Sequence, residues 1–420
     1  MTTIAPFDPA DDVVREAAQR FGTPLYLYDA ATLRARARAV AAFGGPFGFT
    51  PRYAVKANPC RAVLRAFADE GLAFDASTGF EAARVLAAGI DGRRVQVTAQ
   101  VLRDDIAALA ARGVQFTACS LRQIEQLADA LPGAEIGLRV NPGRGSGHNN
   151  RTSVAGPDAS FGVWHEHVAA AAARAAARGL RIVWLHHHVG SGGDPARWAE
   201  IAEDTLACVD ALPDVTHVNL GGGFKVARMP GETESDLAAA ARAADALLRA
   251  VAARTGRRLR LEVEPGTWLV ATAGVAVGRV HDVVDTGARG RTFVKTDVGM
   301  AEVLRPSLYG AQHPVRFVAA DVAAPAQPPA PLLVVGPCCE SGDLLTPAPG
   351  DPETLGPREL PVPRPGDLVV VGAAGAYCAA MATRNYNSIP AAPEIVLAAD
   401  GTLLPARRRQ TLDDVLREEL

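Results

Sequence analysis

The segment Tyr-Ala-Val-Lys-Ala-Asn at residues 53–58 places one lysine, Lys56, among apolar neighbours. Burial of an ammonium group lowers its pKa, so a lysine in this setting is suited to form a Schiff base with an aldehyde. A lone lysine of this kind is more often an ordinary side chain that extends toward solvent. The hypothesis of a nucleophilic amine therefore depends on the other polar residues of the chain.

Three consecutive glycines, Gly221–Gly223, follow the apolar run Val218–Leu220. Glycine backbones can approach an anion closely and offer N–H donors to phosphate oxygens. A glycine run by itself is more often a simple turn, but directly after a predicted strand it favours a phosphate site. Ser191, within His-His-His-Val-Gly-Ser-Gly at 186–192, is a second candidate for a phosphate contact.

The same segment brings three histidines to the end of another predicted strand. Alternation along a strand puts His186 and His188 on one face and His187 on the other. A metal site is the competing interpretation, but no Asp or Glu lies at helical ligand spacing, and we expect no metal. We prefer His188 as a ring stacked on a planar cofactor and interpret His186 and His187 as structural histidines.

A pair of acidic residues ends the last predicted strand of this region, in Glu-Val-Glu-Pro-Gly. Glu262 and Glu264 share a strand face, and Glu264 immediately precedes the turn that contains Gly266. A carboxylate that faces the nitrogen of a heteroaromatic ring keeps that nitrogen protonated and makes the ring a strong electron sink. A carbanion left by the loss of CO₂ needs such delocalisation.

The vicinal cysteines Cys338 and Cys339 are followed by Glu340 in a polar Gly-Pro-Cys-Cys-Glu-Ser-Gly-Asp segment. Neighbouring carboxylates raise the pKa of a thiol, which makes it a poor nucleophile but a usable general acid. Buried hydrophobic cysteines are the ordinary alternative. The six cysteines include no Cys-x-x-Cys pair, so we expect neither a disulfide framework nor a zinc ribbon.

Eight short β-type runs alternate with Ala-, Leu- and Arg-rich helical stretches, which predicts a (β/α)₈ TIM-type barrel. The alternative, an open doubly wound sheet, normally carries a Gly-x-Gly-x-x-Gly turn that is absent here. Active sites of such barrels lie at the carboxyl ends of the strands. The polar residues at those ends are Lys56, Asp75, Ser77, Arg139, His188, Gly221–Gly223 and Glu264.

Beyond the barrel, short β-type runs continue without regular helices between them. They are separated by Pro-rich stretches at 323–332 and 346–367, which we expect to be surface loops. We therefore predict an α/β protein with a barrel over 30–272 and a β-rich C-terminal domain of barrel or sandwich type over 273–420. An N-terminal segment, 1–29, is expected to join the β-rich domain through the run at 24–29.

The composition is that of a globular protein, with 48% hydrophobic and 21% charged residues among 420. A formal net charge of -3 gives no electrostatic reason to expect nucleic acid or an anionic membrane surface as a partner. Charged residues interrupt every apolar run before it reaches membrane-spanning length. The N-terminus lacks the basic and apolar regions of a signal peptide, so we expect a cytoplasmic protein.

Together and in this order, the motifs resemble the fold-type III (alanine racemase-like) pyridoxal-phosphate (PLP) decarboxylases, most of all the diaminopimelate decarboxylase branch. Ornithine and arginine decarboxylases are related. The resemblance extends over most of the chain and is jointly specific. The motifs that carry it are PLYLYD, YAVKAN, FDASTGFE, HVGSG, NLGGGF, EPG, LRPSLYG, CCESGD and GAYCAAMATRNYN.

The resemblance implies a role for each matched residue, with PLP as the cofactor. Lys56 would bind PLP covalently, His188 would stack on its ring, Glu264 would pair with the ring nitrogen, and Cys339 would donate a proton. These four are the predicted catalytic residues. Further cofactor contacts are expected from Asp75, Ser191, Gly221, Gly222, Gly223, Gly266 and Tyr377, and substrate contacts from Arg305, Tyr309, Glu340 and Tyr377. A homodimer is implied in which Lys56 and Cys339 of one active site come from different chains.

The sequence departs from the family pattern at three places. Thr267 stands where the family usually has an arginine, Ser160-Phe161-Gly162 replaces Lys-Phe-Gly, and residues 142–159 form a segment rich in Gly, Asn and Arg. Loss of an arginine fork is not a conservative change. Arg144 or Arg151 could replace it, or the substrate could lack the corresponding carboxylate.

The expected activity is decarboxylation of an amino acid, with meso-diaminopimelate as the leading substrate and lysine as its product. Another basic amino acid, or a carrier-bound aminoacyl group in a specialised pathway, is the alternative. A racemase of the same barrel class is disfavoured by Glu264, and a non-catalytic PLP-binding homologue by the joint presence of the four catalytic residues.

Overall fold

The computed structural model describes residues 4–146 and 153–420. The chain folds into two compact units, one formed by 34–146, 153–226 and 233–269, the other by 4–33, 227–232 and 270–420. The N-terminal elements are α1 (Asp11–Phe21), β1 (Leu25–Asp29) and α2 (Ala30–Ala41). None of the helices in the described part of the chain is long and apolar enough to cross a membrane.

The first unit is a closed barrel of eight parallel strands. The sheet runs in the order β5-β4-β3-β2-β10-β9-β8-β6, and a further pairing between β5 and β6 closes it; the two-residue strand β7 flanks β6. The predicted (β/α)₈ architecture is confirmed. The strands are β2 (Phe49–Ala54), β3 (Ala73–Ala76), β4 (Val95–Thr98), β5 (Gln115–Ala118), β6 (Glu135–Asn141), β7 (Val163–Trp164), β8 (Arg181–His186), β9 (His217–Asn219) and β10 (Arg260–Val263).

Capping residues start several barrel helices. Thr78 and Ser120, two residues after β3 and β5, accept hydrogen bonds from backbone N–H groups three residues later. Asp194 and Asp236, which follow longer loops, cap α8 and α9 by accepting N–H groups of the first helical turn. Each cap therefore fixes where a strand-to-helix loop ends. The helices are α3 (Arg61–Asp69), α4 (Gly79–Ala87), α5 (Ile106–Ala110), α6 (Leu121–Ala130), α7 (Val168–Ala177), α8 (Pro195–Ala207), α9 (Leu237–Thr255) and α10 (Thr267–Val270).

The second unit is built on a nine-stranded sheet. Its longest strand, β11, pairs with β1 and β18 over its first half and with β12 over its second half. The run at 24–29 pairs within this sheet, antiparallel to β11 and parallel to β19. The elements are β11 (Gly274–Asp285), β12 (Thr292–Thr296), α11 (Arg305–Tyr309), β13 (Val315–Val318), β14 (Pro329–Val335), β15 (Pro347–Ala348), β16 (Asp351–Leu355), β17 (Arg358–Pro361), β18 (Leu368–Val371), β19 (Glu394–Leu397), β20 (Leu403–Arg407) and α12 (Leu412–Leu416).

The expectation that both Pro-rich stretches are surface loops is wrong in part. Strand β14 begins at Pro329 and contains Pro331, and it pairs with β17 over residues 329–332. Its pairing with β12 begins only at Leu332, so the proline-bearing half of β14 has one unpaired edge. Because residues 329 and 331 face the same way along a strand, both missing N–H groups can lie on that open edge.

A buried ion pair lies inside the barrel between the first and last strands. Nε and Nη2 of Arg52, on β2, donate to the two carboxylate oxygens of Glu262, on β10, at 2.7 and 2.8 Å. Both side chains are at most 5% exposed. Burial alone raises the pKa of Glu262, but the charge and hydrogen bonds of Arg52 outweigh it and hold that pKa below its usual value.

We expect Arg52→Met to destabilise the barrel by about 3–5 kcal/mol, because it leaves the Glu262 carboxylate buried without its partner. The double variant Arg52→Met/Glu262→Met should recover most of this loss, since it removes both charges. Urea midpoints followed by circular dichroism measure both effects. A single variant as stable as the unsubstituted protein would show that the pair does not depend on mutual neutralisation.

Candidate active site

Lys56 lies one turn beyond the end of β2, in a short 3₁₀ helix over Val55–Ala57 rather than in the strand itself. Its side chain is 35% exposed, and its Nζ lies 3.9 Å from Oδ2 of Asp75, which is 3% exposed and is the penultimate residue of β3. Gly266 is buried beside this turn, and a Cβ placed on it would lie 3.1 Å from Cβ of Ala57. A primary amine is therefore held against a buried carboxylate at the carboxyl ends of neighbouring strands.

Glu264 is fixed from two sides just beyond β10. Nδ2 of Asn219 donates to Oε1 of Glu264, and Nε2 of His186 lies 3.2 Å from Oε2. Oδ1 of Asn219 also accepts the backbone N–H of Gly221 at 2.9 Å. One amide side chain therefore positions both the acid and the start of the glycine turn.

The glycine turn packs tightly on the ends of β8 and β10. A Cβ at Gly222 would lie 2.5 Å from the backbone oxygen of Glu264, and Gly223 has a φ of +105° with Gly190 equally close. Residues with a Cβ atom would not fit at these two positions. The N–H of Gly222 donates to Nδ1 of His188 at 3.2 Å, which sets the neutral tautomer of a half-buried ring that follows β8. Ser191 is also half-buried, three residues further on.

Burial shifts the pKa values of the acids and histidines at this end of the barrel. It raises the pKa of Glu264 to about 7, against the opposing charges of Lys56 and Arg52. It raises the pKa of Asp75 to about 6, helped by the charge of Glu264. Burial also lowers the pKa of His188 well below its usual value and that of His186 to about 3, so both rings are neutral at pH 7.

His187 has the structural role that the sequence favoured, because its Nδ1 contacts Oγ1 of Thr205 on α8 at 2.6 Å. His186 is satisfied as well, but by Glu264. Asn219 and Arg52 are not among the residues that the sequence motifs identified. A signal for Asn219 exists in the sequence, since it is a polar residue between the apolar Val218 and Leu220, two positions before the first glycine.

The variable segment at 142–159 lies partly outside the described residues, including Arg151. Arg144 forms a hydrogen bond to Oδ2 of Asp204 on α8, with its Nε at 2.7 Å, and its side chain is 45% exposed. It is therefore committed to a surface ion pair. Phe161, in the Ser-Phe-Gly departure, has the guanidinium of the buried Arg139 5.0 Å from its ring centre.

The vicinal cysteines of the second unit have opposite environments. Cys338 is buried, and burial together with Asp343 raises its pKa to about 12. Cys339 is exposed, and Nδ2 of Asn387 donates to its sulfur at 3.4 Å. The exposed Glu340 accepts a hydrogen bond from the phenol of Tyr386 at 3.1 Å. Cys339 and Glu340 are therefore both accessible on this unit.

Arg305, Tyr309 and Tyr377 are half-buried in the second unit. Arg305 begins α11, and its Nη1 donates to Nε2 of His313 at 2.8 Å, while Nδ1 of His313 donates to the oxygen of Gly372. This chain of hydrogen bonds requires a neutral His313, in agreement with a pKa that burial holds well below its usual value. Tyr377 has a φ of +56°, a backbone conformation that is strained for tyrosine and typical of functional sites.

Comparison with known proteins identifies the family. A family model described as pyridoxal-dependent decarboxylase, pyridoxal binding domain, matches residues 31–271. This chain belongs to the pyridoxal-dependent decarboxylases. Diaminopimelate decarboxylase of Streptomyces coelicolor is 37% identical over 412 residues, which cover 96% of this chain and 91% of that protein.

Solved structures agree in fold over nearly the whole chain. A crystal structure of diaminopimelate decarboxylase matches with a TM-score of 0.90 and 32% identity, covering 98% of this chain and 96% of that one. The Helicobacter pylori diaminopimelate decarboxylase complexed with L-lysine matches with a TM-score of 0.85 and 26% identity, covering 96% and 98%. The predictions of a fold-type III PLP-dependent decarboxylase and of PLP as its cofactor are confirmed.

The residues of the barrel fit this cofactor. Lys56 offers an amine beside Asp75, and the glycine turn offers backbone N–H groups with no side chains in the way. Oδ1 of Asp75 and Nδ1 of His186 are buried without a hydrogen-bond partner among the described residues. Unpaired polar atoms of this kind are costly unless a ligand or water completes them.

We expect Glu264→Gln to change how the stability of the cofactor-free protein depends on pH. The folded state favours protonated Glu264 up to pH about 7, whereas the unfolded state releases this proton near pH 4.5. As the pH rises between those values, Glu264 therefore lowers the free energy of unfolding by an amount that grows to about 3 kcal/mol. The buried histidines act in the opposite direction, so the difference between the two proteins is the relevant quantity.

Urea unfolding at pH 4.5, 5.5 and 7 measures that difference. The free energy of unfolding of Glu264→Gln should increase relative to that of the unsubstituted protein as the pH rises. A difference that stays constant over the range would show that Glu264 has an ordinary pKa.

Proposed function

We propose that this decarboxylase acts on meso-diaminopimelate and produces lysine and CO₂. The observation that carries the substrate is the 37% identity, over 96% of this chain, to a protein named diaminopimelate decarboxylase. The half-buried Arg305 and Tyr309 of α11 are consistent with a substrate that retains one carboxylate after the reaction.

In the proposed mechanism, PLP would supply, when bound, an aldehyde that reacts with amines and a ring that delocalises the electron pair left by the loss of CO₂. Lys56 would hold the cofactor through its amine between turnovers and would take it back when the product leaves. Glu264, oriented by Asn219, holds a proton at the ring nitrogen. Because the neighbouring His186 is neutral, the negative charge of Glu264 remains available to stabilise the protonated ring nitrogen.

Three further groups of the barrel bind and orient the cofactor in this proposal. His188 stacks on the ring, with its orientation fixed by the N–H of Gly222. Gly221–Gly223 and Ser191 hold the phosphate through N–H and O–H donors. Asp75 neutralises the Lys56 ammonium in the resting enzyme.

We further propose that the enzyme is a homodimer whose active sites combine Lys56 of one chain with Cys339 of the other. Cys339 donates the proton to the carbon that has lost CO₂, and Glu340 contacts the distal end of the substrate. Both residues are exposed on the isolated chain, as residues that serve a partner's site must be. Tyr377 contributes to phosphate and substrate binding.

Thr267 favours a second candidate function. This position, at the start of α10, has no guanidinium where the family resemblance expects one. Decarboxylation of ornithine, lysine or a carrier-bound aminoacyl group would not need the carboxylate contact that this arginine provides.

The PLP-loaded protein should release CO₂ from meso-diaminopimelate and form lysine, with a turnover number on the order of 1–10³ s⁻¹. L- and D-lysine, L- and D-ornithine and L-arginine are the comparison substrates, and Lys56→Ala is the inactive control. Release from one of the comparison substrates alone would favour the second candidate function. If CO₂ is released from none of these amino acids, the substrate is a modified or carrier-bound one.

A mixture of two inactive variants tests the shared site. Lys56→Ala and Cys339→Ala chains, refolded together in equal amounts, should regain about a quarter of full activity, because half of the dimers then contain one intact site. Each variant refolded alone is the control. If the mixture is no more active than its parts, each site is formed by a single chain.

A further inference from the structure

Arg228 lies in a loop whose backbone is fixed by hydrogen bonds. The N–H groups of Arg228 and Met229 donate to Oε2 of Glu232 at 2.7 and 3.2 Å, and the N–H of Glu232 donates to the oxygen of Met229 at 3.1 Å. The carboxylate of Glu232 is therefore engaged by the backbone. Among the described residues, it accepts no hydrogen bond from the buried Nε or Nη2 of Arg228.

Two donors of the Arg228 guanidinium, Nε and Nη2, are buried without a partner in the part of the chain that the structure describes. A buried donor on a charged group that stays unpaired is one of the more costly arrangements in a protein. Burial lowers the pKa of Arg228 to about 9, and the nearby charge of Arg305 adds to the effect. The side chain remains a cation at pH 7.

The groups that interact electrostatically with Arg228 do not neutralise it. They are Arg305, Cys378, Glu232 and Tyr377. Burial raises the pKa of the Cys378 thiol to about 11, so it is neutral at pH 7. Arg305, for its part, uses one N–H on neutral His313 and is itself destabilised by burial. Two guanidinium groups of the second unit therefore repel each other, and the single carboxylate of Glu232 can offset only one of the two positive charges.

We propose that Arg228, to which the family resemblance assigns no role, joins Arg305 in binding the carboxylate that a dicarboxylic amino-acid substrate retains after decarboxylation. A carboxylate has two oxygens and about four acceptor positions, which match the free donors of two arginines. This assignment rests on the proposed function. Cofactor phosphate is the other oxyanion that could satisfy the same donors, and the experiment separates the two.

The probe is pimelate, a seven-carbon dicarboxylate without an amine, which cannot react with the cofactor. Pimelate should raise the thermal midpoint of the PLP-loaded protein, and Arg228→Met should abolish that rise. The same variant should raise KM for meso-diaminopimelate by about 30-fold, the size expected for a charge-assisted hydrogen-bond pair. Its affinity for PLP, measured by fluorescence titration, should stay within about twofold of the original.

Two variants serve as controls. Arg228→Lys retains the charge without the planar fork, so it should restore part of the pimelate effect. Arg291→Met makes the same substitution at an exposed arginine in the turn between β11 and β12 and should behave as the unsubstituted protein.

Several outcomes would overturn the proposal. If Arg228→Met weakens PLP binding and leaves the pimelate effect intact, the arginine binds phosphate instead. If it lowers only the thermal midpoint, its role is structural. An unsubstituted protein that pimelate does not stabilise also contradicts the proposal. Stabilisation by pimelate that depends on Arg228, in a protein silent on meso-diaminopimelate, would support the carboxylate site and reject the proposed substrate.

Discussion

The arrangement of charge inside the barrel constrains the rest of the catalytic unit. Asp75 on β3 and Glu262 and Glu264 at the end of β10 are all buried, on the two sides of β2, where three ionised carboxylates would repel one another in a medium of low polarity. Arg52 neutralises Glu262 through a two-point hydrogen bond. Asp75 has the Lys56 amine 3.9 Å away, Glu264 is bonded to the neutral side chains of Asn219 and His186, and burial raises the two pKa values to about 6 and about 7.

This unequal distribution is what suits the site to a cofactor with a basic ring nitrogen. A Glu264 carboxyl group that gains or loses its proton near neutral pH can stabilise a positive charge when one is placed beside it. Asn219 connects this acid to the backbone of Gly221, so the electrostatic part of the site and the glycine turn are positioned by one residue. A change at Asn219 would therefore disturb both.

In the second unit, by contrast, the interacting charged groups are mainly positive. Arg228 and Arg305 lie in a region where His313 is neutral and the Glu232 carboxylate is used by the backbone. The two vicinal cysteines differ in the same unit, because the backbone N–H of Cys338 donates to buried Asp343 while Cys339 faces solvent. Of the two thiols, Cys339 is therefore the one that is accessible from outside this unit.

The sequence by itself determined the barrel, through its periodicity, and the family, through the resemblance of its motifs. Those motifs also identified Lys56, Gly221–Gly223 and Glu264 as candidate site residues. These follow from local periodicity and from motifs within a few residues of each other, which the chain encodes directly. The tertiary structure alone decided the partners of those residues. Arg52 meets Glu262 across 210 positions, and His186 meets Glu264 across 78, because closing the barrel brings the ends of distant strands together. Strand β14 was likewise not predictable from its sequence, because its prolines disfavour a strand. They are tolerated where the register of the folded sheet leaves one edge of β14 unpaired. Burial likewise cannot be read from neighbouring residues, so only the folded chain showed which arginines lack a partner and which carboxyl groups titrate near neutral pH.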